Sequence, residues 1–141
     1  MNAAASPHIF VYGTLMSTAE STLGRAQRAR LAREGRLIGA ATMGGRLYDL
    51  GRYPGLVASD APGHVVHGEV VALDNALKSL AWLDAYEQIV PGEHEHNQYA
   101  RLLHPARLAD GSVVEAWVYV YRHALTGKRL IREGRWTAPT R

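Results

Sequence analysis

Apolar positions along the chain change period several times. His8-Ile9-Phe10-Val11-Tyr12 is an unbroken β-branched and aromatic run stopped by Gly13, which predicts a buried strand. An Ala- and Arg-rich helix is expected within Thr18 to Glu34, capped by Ser17 or Thr18, with Glu20 and Ser21 in its first turn, and ending at Gly35. Arg36 to Thr42 reads as a second strand. Gly44-Gly45 then reads as a turn into Arg46 to Leu50, and Gly51 to Gly55 as a turn feeding Leu56-Val57-Ala58. Val65 to Leu73 alternates as a strand. Asp74 is the expected N-cap of a helix from Asn75 to Tyr86 or Glu87, and Val90 to Gln98 is a polar loop. Tyr99 to Leu103 is strand-like. Asp110-Gly111 predicts a hairpin turn that sets Ala106 to Leu108 beside Val113 to Tyr121, and the stretch from His123 onwards reads as basic and irregular. Strands outnumber helices and lie on both sides of each helix. This order predicts an α+β sheet or barrel rather than strict βαβ alternation.

The second helix carries the chemistry. Leu73, Ala76, Leu77, Leu80 and Leu83 form a stripe at three-four spacing. Seven residues on an α-helix return to within about 20° of the starting direction. Glu87, seven beyond Leu80, therefore continues the apolar stripe, and Asp84 lies on the same broad face. A buried carboxylate without a partner is costly, and both burial and the helix C-terminus would raise its pKa toward the range of a base near neutrality. The competing reading ends the helix earlier, leaving Glu87 solvated or paired with an arginine such as Arg101. Asp84 is read as structural, capping a loop or bonding a backbone amide.

Tyr12-Gly13-Thr14-Leu15, between a strand and a helix, is a candidate anion site. Gly13 would permit positive φ and close ligand approach, and successive backbone N–H groups can form a concave anion receptor. A carboxylate suits it better than a polyphosphate, because the spacing and lysine of a P-loop are absent.

Composition narrows the field. With 141 residues, 47% hydrophobic and 21% charged, the chain is expected to form one globular domain with its core at about 8–136. No apolar run approaches the ~18 residues of a membrane span, so a soluble, cytoplasmic protein is expected. There is no cysteine, which excludes disulfides and thiolate metal sites. Net charge is +3, and Arg25, Arg28, Arg30, Arg33 and Arg36 crowd into one stretch. Without interleaved aromatic residues or a recognition-helix motif, that stretch reads as a solvated helix face, and no nucleic-acid partner is expected. Glu93-His94-Glu95-His96 reads as a surface loop rather than a metal site, since no third ligand stands at a recognised spacing. His64 and His67 lack a Ser or Cys partner pattern and are assigned no catalysis.

Five segments occur in an order that resembles the gamma-glutamylcyclotransferase-like superfamily, especially its small bacterial and plant (AIG2-like) branches. They are Tyr12-Gly13-Thr14-Leu15-Met16, then Gly45 to Gly51 with Tyr53 to Val57, then Leu83-Asp84-Ala85-Tyr86-Glu87, then Tyr99-Ala100-Arg101, and finally Ala116 to Tyr121. The resemblance runs from about Ile9 to Trp136. It implies a small mixed-strand β-barrel flanked by helices, with a cavity at one end. It also implies that Tyr12, Gly13, Thr14 and Leu15 hold the glutamyl end of a substrate, that Tyr99 and Tyr119 line the pocket, and that Glu87 is the catalytic acid/base. The implied reaction cyclises a γ-glutamyl amine or γ-glutamyl amino acid to 5-oxoproline, with no metal and no cofactor. A rival expectation is a non-catalytic protein that binds a small carboxylated molecule in the same cavity. The chain departs from many relatives at Gln88, where they have glycine. Monomer and homodimer are both left open.

Overall fold

The computed structural model describes residues 6–19, 22–93 and 95–137. Its elements are β1 (His8–Val11), α1 (Arg25–Glu34), β2 (Gly35–Asp49), β3 (Pro54–Ala58), β4 (Val65–Leu73), α2 (Ala76–Tyr86), β5 (Tyr99–Leu108), β6 (Val113–Tyr121) and β7 (Arg129–Ile131). β1 pairs with β4, β4 with β2, β2 with β3, β3 with β6, and β6 returns to β1. These five strands close a barrel. The β1–β6 and β3–β6 pairs are parallel and the others antiparallel, so the barrel is mixed. β5 lies along β6, and β7 lies on the end of β2. The class is α+β, as expected.

The unbroken apolar run of β1 follows from burial on both faces. Phe10 points into the barrel with Met43, Leu47, Leu56, Val66, Val70 and Val118. Its neighbours Ile9 and Val11 point the other way, into a second cluster with Leu31, Leu73, Leu80, Leu83, Tyr99 and Tyr119. Alternation across a strand thus builds two cores, one inside the barrel and one beneath the helices. Burying each such large side chain contributes roughly 1.5–3 kcal/mol relative to exposure.

Several expectations change. The first helix begins only at Arg25, with Gly24 before it and no side-chain cap. Ser17 instead gives its backbone N–H and hydroxyl to Glu69, each at 2.7 Å. Glu20, Ser21 and His94 lie outside the described residues. Gly44-Gly45 is no turn, because β2 runs straight through it. A side chain at Gly44 would come within 2.5 Å of the Ser59 carbonyl oxygen, so glycine serves close strand approach there. The N-cap of α2 is Asn75 rather than Asp74. The Asn75 side chain accepts from the Lys78 amide at 3.2 Å, while the Asp74 amide donates to the Glu34 carbonyl. Leu77 leaves the expected stripe and is 74% exposed, its place toward the core being taken by Ser79. The hairpin at Asp110-Gly111 forms with Ala106 opposite Val114, and the stretch beyond His123 contributes β7.

Candidate active site

β1 and α2 deliver their ends to one cavity of about 220 Å³. Tyr12, Gly13, Thr14 and Leu15 form one wall, Tyr99 and Tyr119 another, and Glu87 enters from the end of α2. Seven residues expected in the site are therefore brought together. Tyr53, Pro54, Tyr86, Gln88 and Gln98 also line the cavity and were not among the expected site residues. Tyr53 and Gln98 come from loops, whose place carries no periodic signal in sequence. Gln88 is marked in the sequence only as a departure from the glycine of many relatives. His64 and His67 lie outside the lining, at the start of β4.

The turn after β1 is held from outside. Met16 N–H bonds the Gly13 carbonyl at 3.1 Å, and Arg28 donates to the Thr14 carbonyl at 2.7 Å. Ser17 is fixed on Glu69, so both ends of the turn are tied down. The amides of Gly13, Thr14 and Leu15 make no hydrogen bond among the described residues. Gly13 is required for a different reason from the one expected. Its φ is not in the left-handed region, but a Cβ there would sit 2.9 Å from Pro54 Cγ.

The tyrosines are anchored through their hydroxyls. Tyr12 donates to the Tyr119 carbonyl at 2.6 Å and accepts from the Leu56 amide at 3.3 Å. Tyr99 donates to the Pro54 carbonyl at 2.8 Å, and Tyr119 donates to Asp84 Oδ1 at 2.7 Å. Burial, more than any neighbour, pushes all three phenols well above their ordinary range, so they remain neutral.

Glu87 is the C-cap of α2. The next residue, Gln88, has φ 60°, and its amide bonds the Ala85 carbonyl while the Ile89 amide bonds the Asp84 carbonyl. This pair of bonds is a Schellman closure, which normally places glycine where Gln88 stands. The Glu87 side chain has no hydrogen-bond or ion-pair partner among the described residues. Burial first, and the nearby Asp84 charge second, raise its pKa from 4.5 to about 7. Arg101 pairs instead with Asp84, donating at 2.7 and 3.1 Å. This corrects the reading of Asp84 as a loop cap, and Arg101 does not reach Glu87. Among the described residues, no cluster of three His, Asp or Glu side chains is placed to hold a metal ion. No helix among them is long and apolar enough to cross a membrane.

The family model described as gamma-glutamyl cyclotransferase, AIG2-like, matches residues 9–138. The chain belongs to that family. It is 40% identical over 92 residues to the gamma-glutamylcyclotransferase family protein YtfP of Escherichia coli, a match spanning 64% of this chain and 66%, just under two thirds, of that protein. The solution structure of the E. coli ytfP protein matches with a TM-score of 0.59 and 33% identity, over 92% of this chain and 95% of that one. The crystal structure of an AIG2-like protein from Mus musculus gives a TM-score of 0.67 at 22% identity, over 95% and 96% of the two chains. The mouse protein's likeness shows the fold. Together these place the mixed barrel within the gamma-glutamylcyclotransferase-like fold.

Proposed function

We propose that this chain cyclises a γ-glutamyl amine or γ-glutamyl amino acid to 5-oxoproline, with Glu87 as the acid/base. The observation that carries the reading is a carboxylate without a partner, with a pKa of about 7, facing a turn whose amides are free to receive an anion. The substrate's α-carboxylate would sit on the Gly13, Thr14 and Leu15 amides. Glu87 takes a proton from the α-ammonium group, and the freed nitrogen attacks the γ-carbonyl carbon to close the five-membered ring. As the intermediate collapses, the ring nitrogen passes its extra proton to the Glu87 carboxylate, regenerated once Glu87 has protonated the leaving nitrogen. That proton then leaves with the released amine as its ammonium ion. Protonation of the leaving nitrogen, delivered by Glu87, breaks the γ C–N bond and releases the amine. Nucleophile and electrophile belong to one molecule, so holding its folded conformer supplies much of the acceleration. Water-excluding walls of Tyr12, Tyr99 and Tyr119 support that conformer, and their neutral hydroxyls add no competing charge.

A small-molecule binding protein is the rival reading. It would favour a carboxylate neutralised by a cation, and Arg101 is engaged by Asp84 instead. The test is 5-oxoproline release from a panel of γ-glutamyl amines and γ-glutamyl dipeptides, wild type beside Glu87→Gln. Release by the wild type that disappears in the variant supports the proposal. A folded wild type that releases nothing from any member turns the reading toward the binding protein.

A further inference from the structure

Asp84 lies one turn before Glu87 on α2 and receives three hydrogen bonds from side chains of the neighbouring sheet. Arg101 Nε and Nη2 bind its two oxygens at 2.7 and 3.1 Å, and the Tyr119 hydroxyl binds Oδ1 at 2.7 Å. Arg101 and Tyr119 are directly opposite each other in the β5–β6 ladder, so their side chains leave the same face. The Arg101 guanidinium also stacks over Trp117, its carbon 4.4 Å from the ring centroid, which fixes the fork from its other side. The cluster therefore ties the end of α2 to two adjacent strands.

We propose that Asp84, Arg101 and Tyr119 form a positioning device for Glu87, which pins the last turn of α2 against the β5–β6 ladder and sets the net charge that Glu87 faces. The proposal rests on the reading of Glu87 as the acid/base. Tyr119 joins the two halves of the device, since its ring lines the cavity while its hydroxyl holds Asp84. The groups facing Glu87 are Tyr12 from the turn after β1, Tyr53 from the β2–β3 loop, Tyr86 and Asp84 from α2, Tyr99 from β5 and Tyr119 from β6. Asp84 is the one acidic group among them, and Arg101 is the cation that offsets it. Removing either charge leaves the other uncompensated, so the two removals act on Glu87 in opposite senses.

The test follows the titration of the Glu87 carboxyl carbon by NMR in the intact protein, for wild type, Asp84→Asn, Arg101→Met and Arg101→Lys. Asp84→Asn is expected to move the midpoint downward and Arg101→Met upward, each by about half a pH unit or more at low salt. Arg101→Lys keeps the charge and is expected to return the midpoint toward wild type. Parallel pH profiles of 5-oxoproline release should shift in the same directions. A purely structural brace would move both charge-removing variants alike, and that result, or no movement in either, overturns the proposal. If Asp84→Asn fails to fold, the contrast between Arg101→Met and Arg101→Lys still decides. The titration needs no substrate, so a chain that released no 5-oxoproline would overturn the acid/base reading without deciding the charge coupling.

Discussion

Two glutamates on the flanks of α2 show opposite treatment of the same side chain. Glu34, at the end of α1, accepts from Arg30 at 2.8 Å, from the Ser79 hydroxyl at 2.7 Å and from Trp82 Nε1 at 2.8 Å. Those hydrogen bonds, Arg30 foremost, hold its carboxyl down at about 2. Glu87, the C-cap of α2, has no such partners and stands at about 7. Glu34 is a fastener between α1 and α2. Glu87 is left available to exchange a proton near neutral pH. Hydrogen-bond satisfaction, rather than residue type or helix position alone, separates structure from chemistry here.

The largest effect that sharpens this contrast is on rate. Glu87→Gln is expected to lower kcat by about 10²–10⁴-fold, the usual contribution of a positioned acid/base, while Glu34→Gln leaves kcat within about threefold. Steady-state 5-oxoproline release by both variants checks this, and similar losses in the two would dissolve the distinction.

Stability should separate the same pair by pH. Glu87 has a raised folded-state pKa, so its contribution to stability is fully present below about 4.5 and is lost as pH rises through about 7. Glu87→Gln is therefore expected to unfold at higher denaturant than wild type at pH 8, by about 1–3 kcal/mol, with the gain shrinking toward pH 5. Glu34 has a depressed pKa, so its contribution is present above about 4.5 and fades as pH falls through about 2. Glu34→Gln should accordingly be less stable than wild type at neutral pH and approach it in acid. Denaturant melts across that range would show the two trends diverging with opposite signs as pH rises, and parallel trends would contradict the account.

Much of this arrangement was legible in the residues. The three-four stripe ending at Glu87, the strand run stopped at Gly13 and the ordered segments from Tyr12 to Tyr121 located both walls of the cavity. What periodicity does not carry is the partner of each polar group. It left Arg101 as a possible mate for Glu87, whereas register opposite Tyr119 aims it at Asp84. Nor does local pattern show which glycines separate packed backbones, which is why Gly44-Gly45 read as a turn inside a continuous strand. The start of α1 escapes local pattern for a related reason. Ser17 has the composition of a cap, but its hydroxyl is taken by Glu69, fifty-two positions away in sequence.

A smaller effect concerns the walls. Tyr12→Phe would leave the buried Leu56 amide and Tyr119 carbonyl without the phenol that joins them, a loss of about 1–3 kcal/mol measured by denaturant unfolding. An unchanged midpoint would mean that the phenol is not a structural fastener on the cavity wall.

The smallest expected effect is at the junction beside Glu87. Gln88→Gly removes the left-handed strain of a side-chain-bearing residue and should stabilise the fold by about 1 kcal/mol. A destabilised variant would show that the Gln88 side chain contributes more to packing than its backbone costs.

The most direct test follows 5-oxoproline release from the best γ-glutamyl substrate between pH 5 and 9, for wild type and Glu87→Gln. The account predicts that wild-type kcat/KM rises with pH through a single step near 7, as Glu87 loses its proton, and that the variant shows neither the step nor the rate. A variant that keeps both would contradict it, and the acid/base would have to be sought elsewhere in the cavity.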